Sequence, residues 1–253
     1  MTTHQDLIDN LMCKFNGVQI GKATLFNCDC NDLMAHVPLK HFELSCVDPP
    51  YGIDIAEAFA GEVRKSGNGA AMKSAFEKKL WGSEIPSIEY FQQLKMVSKN
   101  QIVWGANYMT TYLQPSMGWV VWDKDNGTTK FSDCELAYTS FETALRKFKY
   151  TWNGMLQGDM KNKEQRIHPT QKPIKLYEWL LTNYAKQGDK ILDTHLGSGS
   201  HAIACNNLGF ELTACELDRD YFEAACKRIE QASKQTSLFE PQQPVKPAQE
   251  ALL

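Results

Sequence analysis

Asp48 is the residue of this chain whose surroundings most clearly suggest chemistry, because two prolines, Tyr51 and a glycine follow it. The apolar stretch Phe42–Val47 before it predicts a buried strand that ends where the chain must turn. The two prolines hold the backbone extended, so their carbonyls lie beside the Asp48 carboxylate as fixed acceptors. A flat ring could stack on Tyr51 while its amino hydrogens point at Asp48 and at the Pro49 carbonyl. The same residues also form a common turn after a strand, and the motif alone leaves both interpretations open.

A second motif lies near the other end of the chain, where an apolar stretch after Lys190 leads into a loop containing Gly197 and Gly199. The pattern predicts a strand, a tight loop and then a helix. Glycines let the backbone approach a ligand closely, and a helix start offers unpaired amides to an anion. The next predicted strand ends at Glu216, where a carboxylate can accept hydrogen bonds from ribose hydroxyls.

A third motif, His-Pro-Thr-Gln-Lys-Pro, contains His168, Thr170 and Lys172 and stands directly before a helical pattern over residues 174–184. On its own it is typical of a loop with a proline at the helix start. Together, the three motifs resemble the signatures of S-adenosylmethionine-dependent amino methyltransferases, which methylate the exocyclic nitrogen of adenine or cytosine in DNA. Residues 48–51 look like catalytic motif IV of that family, the glycine loop like motif I and the His168 segment like motif X. Their order is similar to the permuted beta class, and the resemblance covers about residues 23–229.

This resemblance implies a fold, a cofactor and a set of site residues. The fold is α/β, a doubly wound and mostly parallel sheet of the Rossmann-like class I methyltransferase type with permuted motif order. The cofactor is S-adenosylmethionine, and the substrate is double-stranded DNA. The implied catalytic residues are Asp48, Pro49, Pro50 and Tyr51. The implied cofactor-binding residues are Asp29, His168, Thr170, Lys172, Asp193, Gly197, Ser198, Gly199, Ser200 and Glu216. For Asp29, the sequence equally supports a helix cap.

The glycine loop departs from the family pattern at His195. The family has Asp-Pro-Phe before its glycines, whereas this chain has Asp193, Thr194 and His195. We expect His195 to be a polar substitute in the same wall, without a catalytic role, and the packing between this loop and the catalytic turn to differ. The region available for sequence recognition is short, which disfavours long target sites.

The chemistry implied is a direct transfer of a methyl group to the N6 amino group of a flipped-out adenine. Acceptors at Asp48 and the Pro49 carbonyl would localise the amino lone pair, and orientation would supply most of the rate. Tyr51 would replace the stacking that the flipped base loses. No proline is followed by cysteine, so the nucleophile of carbon-5 cytosine methyltransferases is absent. Aspartate at the first motif position favours adenine in this family; N4-cytosine in DNA and N6-adenine in RNA remain alternatives.

Two other classes of function compete with methyl transfer. The spacing Gly-x-Gly-x-x-Ala from Gly197, followed by Glu216, fits the dinucleotide fingerprint of a nicotinamide dehydrogenase. That interpretation leaves the Asp48 and His168 motifs unexplained. A non-catalytic nucleic-acid-binding module is disfavoured because both a cofactor loop and a catalytic turn are intact.

The charge of the chain is distributed unevenly. The formal net charge is −3 and the sequence pI is about 6.1, yet residues 145–172 contain seven basic and two acidic residues. Phosphate binding needs only one positive face, so this stretch is a candidate DNA-binding surface; a solvated loop is the alternative. The residues expected to contact DNA are Arg146, Lys147, Lys149, Lys161, Lys163 and Arg166.

Composition further indicates a cytoplasmic protein, and the resemblance to DNA methyltransferases implies that it is associated with the nucleoid. The eight cysteines have no Cys-x-x-Cys spacing and the six histidines no ligand pattern beside them, so we expect reduced thiols and no metal site. We see neither a signal-peptide profile nor a stretch of membrane-spanning length.

Alternating strand and helix patterns predict one catalytic domain over residues 23–233. We expect residues 1–22 to be a loosely attached lead-in, residues 134–141 to form an edge strand, and about residues 145–167 to be an inserted target-recognition element. Glycines and lysines over residues 60–81 indicate either a mobile lid that orders on a polyanion or a loop with no role in binding. A flexible tail is expected over residues 234–253.

The expected tail contains Gln235, Leu238 and Phe239, which resemble the peptides by which bacterial replication and repair proteins attach to the sliding clamp. Tethering of this kind would hold the protein near newly made DNA. The alternative is that Leu238 and Phe239 fold back onto the last helix. A clamp partner is therefore one of two predictions for these residues.

Overall fold

The computed structural model describes residues 3–53, 84–127, 132–153 and 156–236 of the chain. Strands and helices alternate along most of this sequence, as predicted. The strands are β1 Val18–Ile20, β2 Ala23–Asn27, β3 Phe42–Val47, β4 Ser98–Trp104, β5 Trp119–Asp123, β6 Cys134–Thr139, β7 Arg146–Lys149, β8 Trp152–Asn153, β9 Leu156–Gln157, β10 Lys190–Asp193 and β11 Glu211–Glu216. The α-helices are α1 His4–Phe15, α2 Cys30–Met34, α3 Ile88–Val97, α4 Ile174–Tyr184, α5 Ser200–Leu208 and α6 Arg219–Thr236.

Nine of the strands form one sheet in the order β1-β2-β11-β10-β3-β4-β6-β5-β7, while β8 and β9 pair separately. The five central strands from β2 to β4 are all parallel to one another. Antiparallel pairs occur where β1 joins β2 and where β6 lies between β4 and β5. The prediction of a mostly parallel α/β sheet is confirmed.

Helices cover both faces of this sheet. Helices α1, α2 and α3 contribute Leu11, Leu33 and Leu94 to the core on one face, and α4, α5 and α6 contribute Leu180, Ala204 and Ile229 to the core on the other. Burial on both faces explains why the central strands are nearly continuous apolar runs, since neither side of the strand meets water. None of the helices described is long and apolar enough to cross a membrane.

The carboxyl ends of the central strands define the position of the site. Strands β3 and β10 are neighbours, with Ile191 opposite Leu44, and the chain continues from β3 to the strand on one side and from β10 to the strand on the other. A crevice opens where connections diverge in this way, and ligands bind there in open α/β sheets. The Asp48 motif, the glycine loop and Glu216 all follow or end strands at this edge.

Residues 3–20 are part of the fold, which corrects the prediction of a loose lead-in over residues 1–22 for the part that the structure describes. Thr3 and Asp6 form a capping box at the start of α1, and that helix buries Leu7 and Leu11. Strand β1 then pairs with β2 along the edge of the sheet. The helix is polar on average and its apolar stripe is narrow, so its burial is visible only when the sheet is present.

Two predictions about the other end of the sheet are also corrected. Strand β6 is not an edge strand, because β4 and β5 flank it. The edge is β7, which lies within the stretch assigned to an insertion at residues 145–167 and pairs in parallel with β5. Its alternation is weak because three of its four side chains are exposed, and an exposed edge strand lacks the apolar signal of a central one.

Several boundaries match the sequence patterns, including those of β2, β3, α4 and α5. Helix α6 is longer than predicted and includes Gln235, so the expected tail begins later than residue 234. The lid prediction at residues 60–81, and the clamp prediction at Leu238 and Phe239, fall outside the described residues.

Candidate active site

Tyr51 lies close to the backbone of the neighbouring strand. Its ring packs against Gly105, where an added Cβ would stand 2.1 Å from a ring carbon, and Gly105 has φ +65°. A side chain at that position would exclude the tyrosine ring. Tyr108 stacks on the same ring with centroids 5.4 Å apart and an interplanar angle of 18°. The aromatic face predicted from the sequence is therefore held between a strand end and a second tyrosine.

Lys172 brings the third motif directly to the first. Its Nζ lies 2.5 Å from Asp48 Oδ2 and 3.2 Å from Glu135 Oε2, and it donates to the Tyr51 hydroxyl at 2.9 Å. Tyr51 in turn donates to Asp48 Oδ1 at 2.7 Å. The lysine side chain is only 3% exposed. Burial opposes its charge, but the two carboxylates raise the pKa of Lys172, so it remains an ammonium group.

Glu135 completes this cluster from β6. Its Oε1 accepts from Lys124 at 2.6 Å, while its Oε2 faces Lys172 and the Tyr51 hydroxyl. Burial would favour the protonated acid, but the ammonium groups of Lys172 and Lys124 hold the pKa of Glu135 at about 2. Two carboxylates and two ammonium groups thus balance in a largely desolvated cluster.

The contacts of Lys172 are with the catalytic motif and Glu135, whereas the sequence resemblance implied a cofactor-binding role, which stays a prediction. Glu135 and Lys124 were not predicted from the sequence. A charged residue such as Glu135 within an apolar strand pattern was the available signal, since a buried carboxylate requires a partner. The local sequence around Glu135 does not indicate that Lys172 and Lys124 are its partners.

The glycine loop connects β10 to α5 and is tied to the next strand. The backbone amide of Gly197 donates to Glu216 Oε2 at 2.9 Å, and the backbone amide of Asp218 donates to Glu216 Oε1 at 3.0 Å. Gly199 has φ +74°, and a Cβ there would lie 2.8 Å from Ile229 Cδ1. Among the described residues, a Cβ at Gly197, which has φ +52°, would meet one atom within 4 Å, the His195 carbonyl oxygen at 3.9 Å. One glycine is therefore required by packing, and the other borders open space.

Asp193, which closes β10, is held from two directions. Its Oδ2 pairs with His201 Nδ1 at 2.9 Å in a nearly inaccessible position, and its Oδ1 accepts the His195 amide at 3.0 Å. The His201 ring stacks on Tyr177 with centroids 4.7 Å apart. Both oxygens are used within the chain, so Asp193 shapes the loop.

The residues that replace the usual Pro-Phe of the family attach the glycine loop to α3. Thr194 Oγ1 lies 2.7 Å from the Tyr90 hydroxyl and 2.9 Å from His195 Nδ1. The Tyr90 and His195 rings meet edge to face at 5.5 Å. Burial lowers the pKa of His195 to about 4, so the ring is neutral at pH 7. The wall that the family builds from Pro-Phe is therefore polar in this chain, as expected for His195 in the sequence analysis.

The His168 segment packs against the last helix. His168 meets the ring of Tyr221 edge to face at 4.3 Å, and Thr170 contacts His168 Nδ1 through its hydroxyl at 3.1 Å. Burial lowers the pKa of His168 to about 4. The segment is therefore anchored at its start by α6 and at its end by the Lys172 cluster.

Comparison with known proteins identifies the family. Residues 83–227, more than half of the chain, match the family model described as DNA methylase, N6_N4_Mtase. The chain belongs to this family of DNA methylases. Membership confirms the resemblance to S-adenosylmethionine-dependent amino methyltransferases and the cofactor expected with it, and it leaves the dehydrogenase alternative without support.

Curated relatives match over a limited part of their length. The chain is 35% identical over 69 residues to the type II methyltransferase M.HpaI of Haemophilus parainfluenzae, covering 27% of this chain and 22% of the relative. It is 34% identical over 85 residues to the type II methyltransferase M2.DpnII of Streptococcus pneumoniae, covering 34% and 31%. The matched segments thus span less than a third of these relatives.

Solved structures agree on the fold of the family. The PvuII DNA methyltransferase, described as cytosine-N4-specific, superposes with a TM-score of 0.54 at 12% identity, over 84% of this chain and 90% of that one. A Thermus thermophilus protein described as a putative DNA modification methylase, TTHA0409, superposes with a TM-score of 0.51 at 14% identity, over 82% and 94%. At these identities the likeness establishes the Rossmann-like architecture.

Asp29 caps a helix at the edge of the sheet that carries the site. Its Oδ1 accepts the Asn31 amide at 2.7 Å at the start of α2, in keeping with the cap interpretation. Strand β2, which precedes it, ends beside Glu216, since Asn27 Nδ2 donates to the Glu216 carbonyl at 2.8 Å. Asp29 therefore still stands at the correct edge for a cofactor contact, and that role stays a prediction.

The basic residues predicted to bind DNA differ in their surroundings. Lys147 and Lys149 pair with Asp123 and Asp125 at 3.4 and 2.9 Å. The Arg166 guanidinium stacks 4.6 Å from the centre of the Trp152 ring, and burial lowers its pKa. Three members of the set are exposed and have no carboxylate partner within the described part of the chain. These are Arg146, Lys161 and Lys163.

Proposed function

We propose that this protein transfers a methyl group from S-adenosylmethionine to N6 of a flipped-out adenine in double-stranded DNA. The observation that carries the proposal is the adjacency of β3 and β10. Asp48 follows the first of these strands and the glycine loop follows the second. An amino group held at Asp48 and a cofactor held at the glycine loop would therefore meet at one edge of the sheet.

The residues at this edge suit S-adenosylmethionine. The space beside Gly197 is free of side chains among the described residues, so a ligand could approach its backbone. Glu216 is fixed by two amides, and its remaining lone pairs can accept from ribose hydroxyls. When bound, the cofactor supplies an electrophilic methyl group on a sulfonium. The residues that would hold it are Asp29, His168, Thr170, Asp193, Gly197, Ser198, Gly199, Ser200 and Glu216.

The catalytic motif would act on the target base. Asp48 and the Pro49 carbonyl would accept the two amino hydrogens, which turns the nitrogen lone pair toward the methyl group. Tyr51 and the exposed Tyr108 form a stacked pair, and stacking of the base on this aromatic pair would offset part of the cost of extruding it. Aspartate at position 48 supports adenine over cytosine, as the sequence resemblance implies.

Double-stranded DNA is the substrate supported by family membership and by the exposed lysines Lys161 and Lys163. Both curated relatives are named type II methyltransferases, which supports a modification role beside a restriction enzyme. These relatives are matched over a small share of their length, so the partner enzyme and the recognition sequence belong to the proposal.

The test is methylation of unmodified DNA by purified protein with isotope-labelled S-adenosylmethionine, followed by nucleoside mass spectrometry. We expect N6-methyladenine. N4-methylcytosine, or methyl transfer to RNA alone, would replace the proposed substrate by one of the alternatives. Asp48→Asn should abolish transfer while titration calorimetry still detects cofactor binding. Loss of both in parallel would contradict the assignment of Asp48 to the target base.

A further inference from the structure

We propose that Glu135 is a positioning residue. When a target base enters, Glu135 accepts the hydrogen bond of the Tyr51 hydroxyl, so that Asp48 Oδ1 can accept a hydrogen bond from the amino group. This proposal rests on the proposed function. It concerns a residue outside the three sequence motifs, on a strand that reaches the site only in the folded protein.

The starting point is that the protein itself occupies both carboxylate oxygens of Asp48. Tyr51 donates to Oδ1 at 2.7 Å, and Lys172 lies 2.5 Å from Oδ2. An incoming amino group needs one of these oxygens as an acceptor. Each oxygen keeps a second lone pair, but an oxygen that already accepts one hydrogen bond is a weaker acceptor for another, so turning one internal donor to a different acceptor would strengthen the contact with the amino group.

Glu135 Oε2 is an acceptor within reach of the Tyr51 hydroxyl, at 3.2 Å. A phenol has a single hydrogen, so the hydroxyl donates to Asp48 or to Glu135 at any moment while it accepts from Lys172. Exchange between the two needs only rotation of the O–H bond. The ring keeps its packing on Gly105 and its stack on Tyr108.

Lys172 is the less suitable donor to move. Its three hydrogens already have three acceptors in Asp48, Glu135 and the Tyr51 hydroxyl, and its side chain is buried. Turning it away would break an ion pair in a desolvated place, which is more costly than redirecting one hydroxyl. Lys172 thus keeps Oδ2 while Oδ1 becomes available.

Glu135 is prepared for this role by its other partner. Lys124 binds Oε1 at 2.6 Å, which leaves Oε2 directed at the tyrosine and at Lys172. The carboxylate stays ionised, since two ammonium groups surround it. An ionised acceptor holds a hydroxyl hydrogen more strongly than a neutral one.

The experiment combines substitutions at Glu135 and Tyr51 and measures methyl transfer to DNA in single turnovers. Glu135→Met removes the alternative acceptor, so we expect the rate to fall by about tenfold or more, with cofactor affinity retained. Adding Tyr51→Phe removes the hydroxyl that competes for Oδ1, and the double variant should recover about tenfold over Glu135→Met. In the native background, Tyr51→Phe should give no increase.

Glu43→Met is the matched control. Glu43 is a partly buried carboxylate paired with Lys99 at 3.0 Å, and it lies on the same sheet at the opposite end of β3. We expect this variant to lower stability without a rate loss that Tyr51→Phe reverses. Should Glu135→Met not fold, Glu135→Gln replaces it, because an amide oxygen is a weaker acceptor and the same recovery is required.

The outcomes separate the two proposals. Active native protein with recovery in the double variant supports the role of Glu135. Active native protein with additive losses overturns that role and leaves the proposed function intact. Native protein that binds cofactor but methylates neither DNA nor RNA overturns both.

Discussion

Arg228 and Glu164 form an ion pair of 2.7 Å that joins the last helix to the segment leading into α4. The same guanidinium donates to the Ser198 carbonyl at 2.8 Å and to Ser200 Oγ at 2.9 Å. The second oxygen of Glu164 accepts the Ile174 amide at 2.9 Å. The glycine loop and the segment that contains Lys172 therefore share one largely buried anchor.

Arg228→Met should disrupt both parts of the site. An uncompensated Glu164 carboxylate and two lost hydrogen bonds to the glycine loop predict a loss of about 3 kcal/mol in unfolding free energy. Cofactor affinity should fall by about tenfold, since the loop loses its support. Denaturant unfolding and titration calorimetry measure the two effects. Arg219→Met, which breaks the exposed pair with Glu223, serves as the control and should leave stability nearly unchanged.

Alanine substitutions at the two loop glycines should have different consequences. At Gly199 the Cβ meets Ile229 in left-handed backbone, so Gly199→Ala should cost about 2 kcal/mol of stability. Gly197→Ala should cost about 1 kcal/mol of backbone strain while weakening cofactor binding, because its Cβ enters the space beside the loop. Denaturant unfolding and calorimetric titration with S-adenosylmethionine check the two expectations.

Gly188 provides the control for backbone strain. It has φ +91°, no atom in the described part of the chain lies within 4 Å of its Cβ position, and it lies in the turn before β10. Gly188→Ala should therefore show the strain alone, with native cofactor affinity. Equal affinity in the Gly188 and Gly197 variants would argue against a cofactor beside Gly197.

The stability of the protein should fall as pH decreases from about 6.5 to about 4, partly through His195. Burial lowers the pKa of this ring from 6.5 to about 4 in the folded state. Between these values the unfolded chain binds a proton that the folded chain does not, so unfolding becomes easier as pH falls. His195→Phe, which restores the family residue, should flatten the curve of unfolding free energy against pH in this interval. An unchanged slope would show that His195 titrates normally.

Lys161 and Lys163 should contribute to DNA affinity through phosphate contacts. Replacing both by alanine should reduce the slope of log affinity against log salt by about 2, since each phosphate contact accounts for about 0.9. Replacing Lys147 and Lys149 is the control, because Asp123 and Asp125 already neutralise them. If replacing Lys147 and Lys149 reduced the slope more, the DNA-binding surface would lie at the β7 edge instead.

The central elements and the candidate site motifs could be predicted from local sequence patterns. Strand β3 and helix α5 begin and end where the apolar patterns predicted, because a buried strand and a buried helix leave strong local signals. The Asp48 turn and the glycine loop were recognisable because each consists of neighbouring residues. Parallel strands also imply that their carboxyl ends share an edge, so the adjacency of these two motifs followed from the fold class.

Which side chains from distant parts of the chain meet could be read only from the folded protein. Lys172 pairs with Asp48 and with Glu135. Glu135 lies on β6, a strand inside the sheet whose local pattern predicted an edge strand. Helix α1 is part of the core although its sequence is polar on average. The physical reason is common to these cases. Local patterns record whether a side chain is buried, whereas the partner of a buried charge is set by strand order, which depends on contacts between residues far apart in the chain.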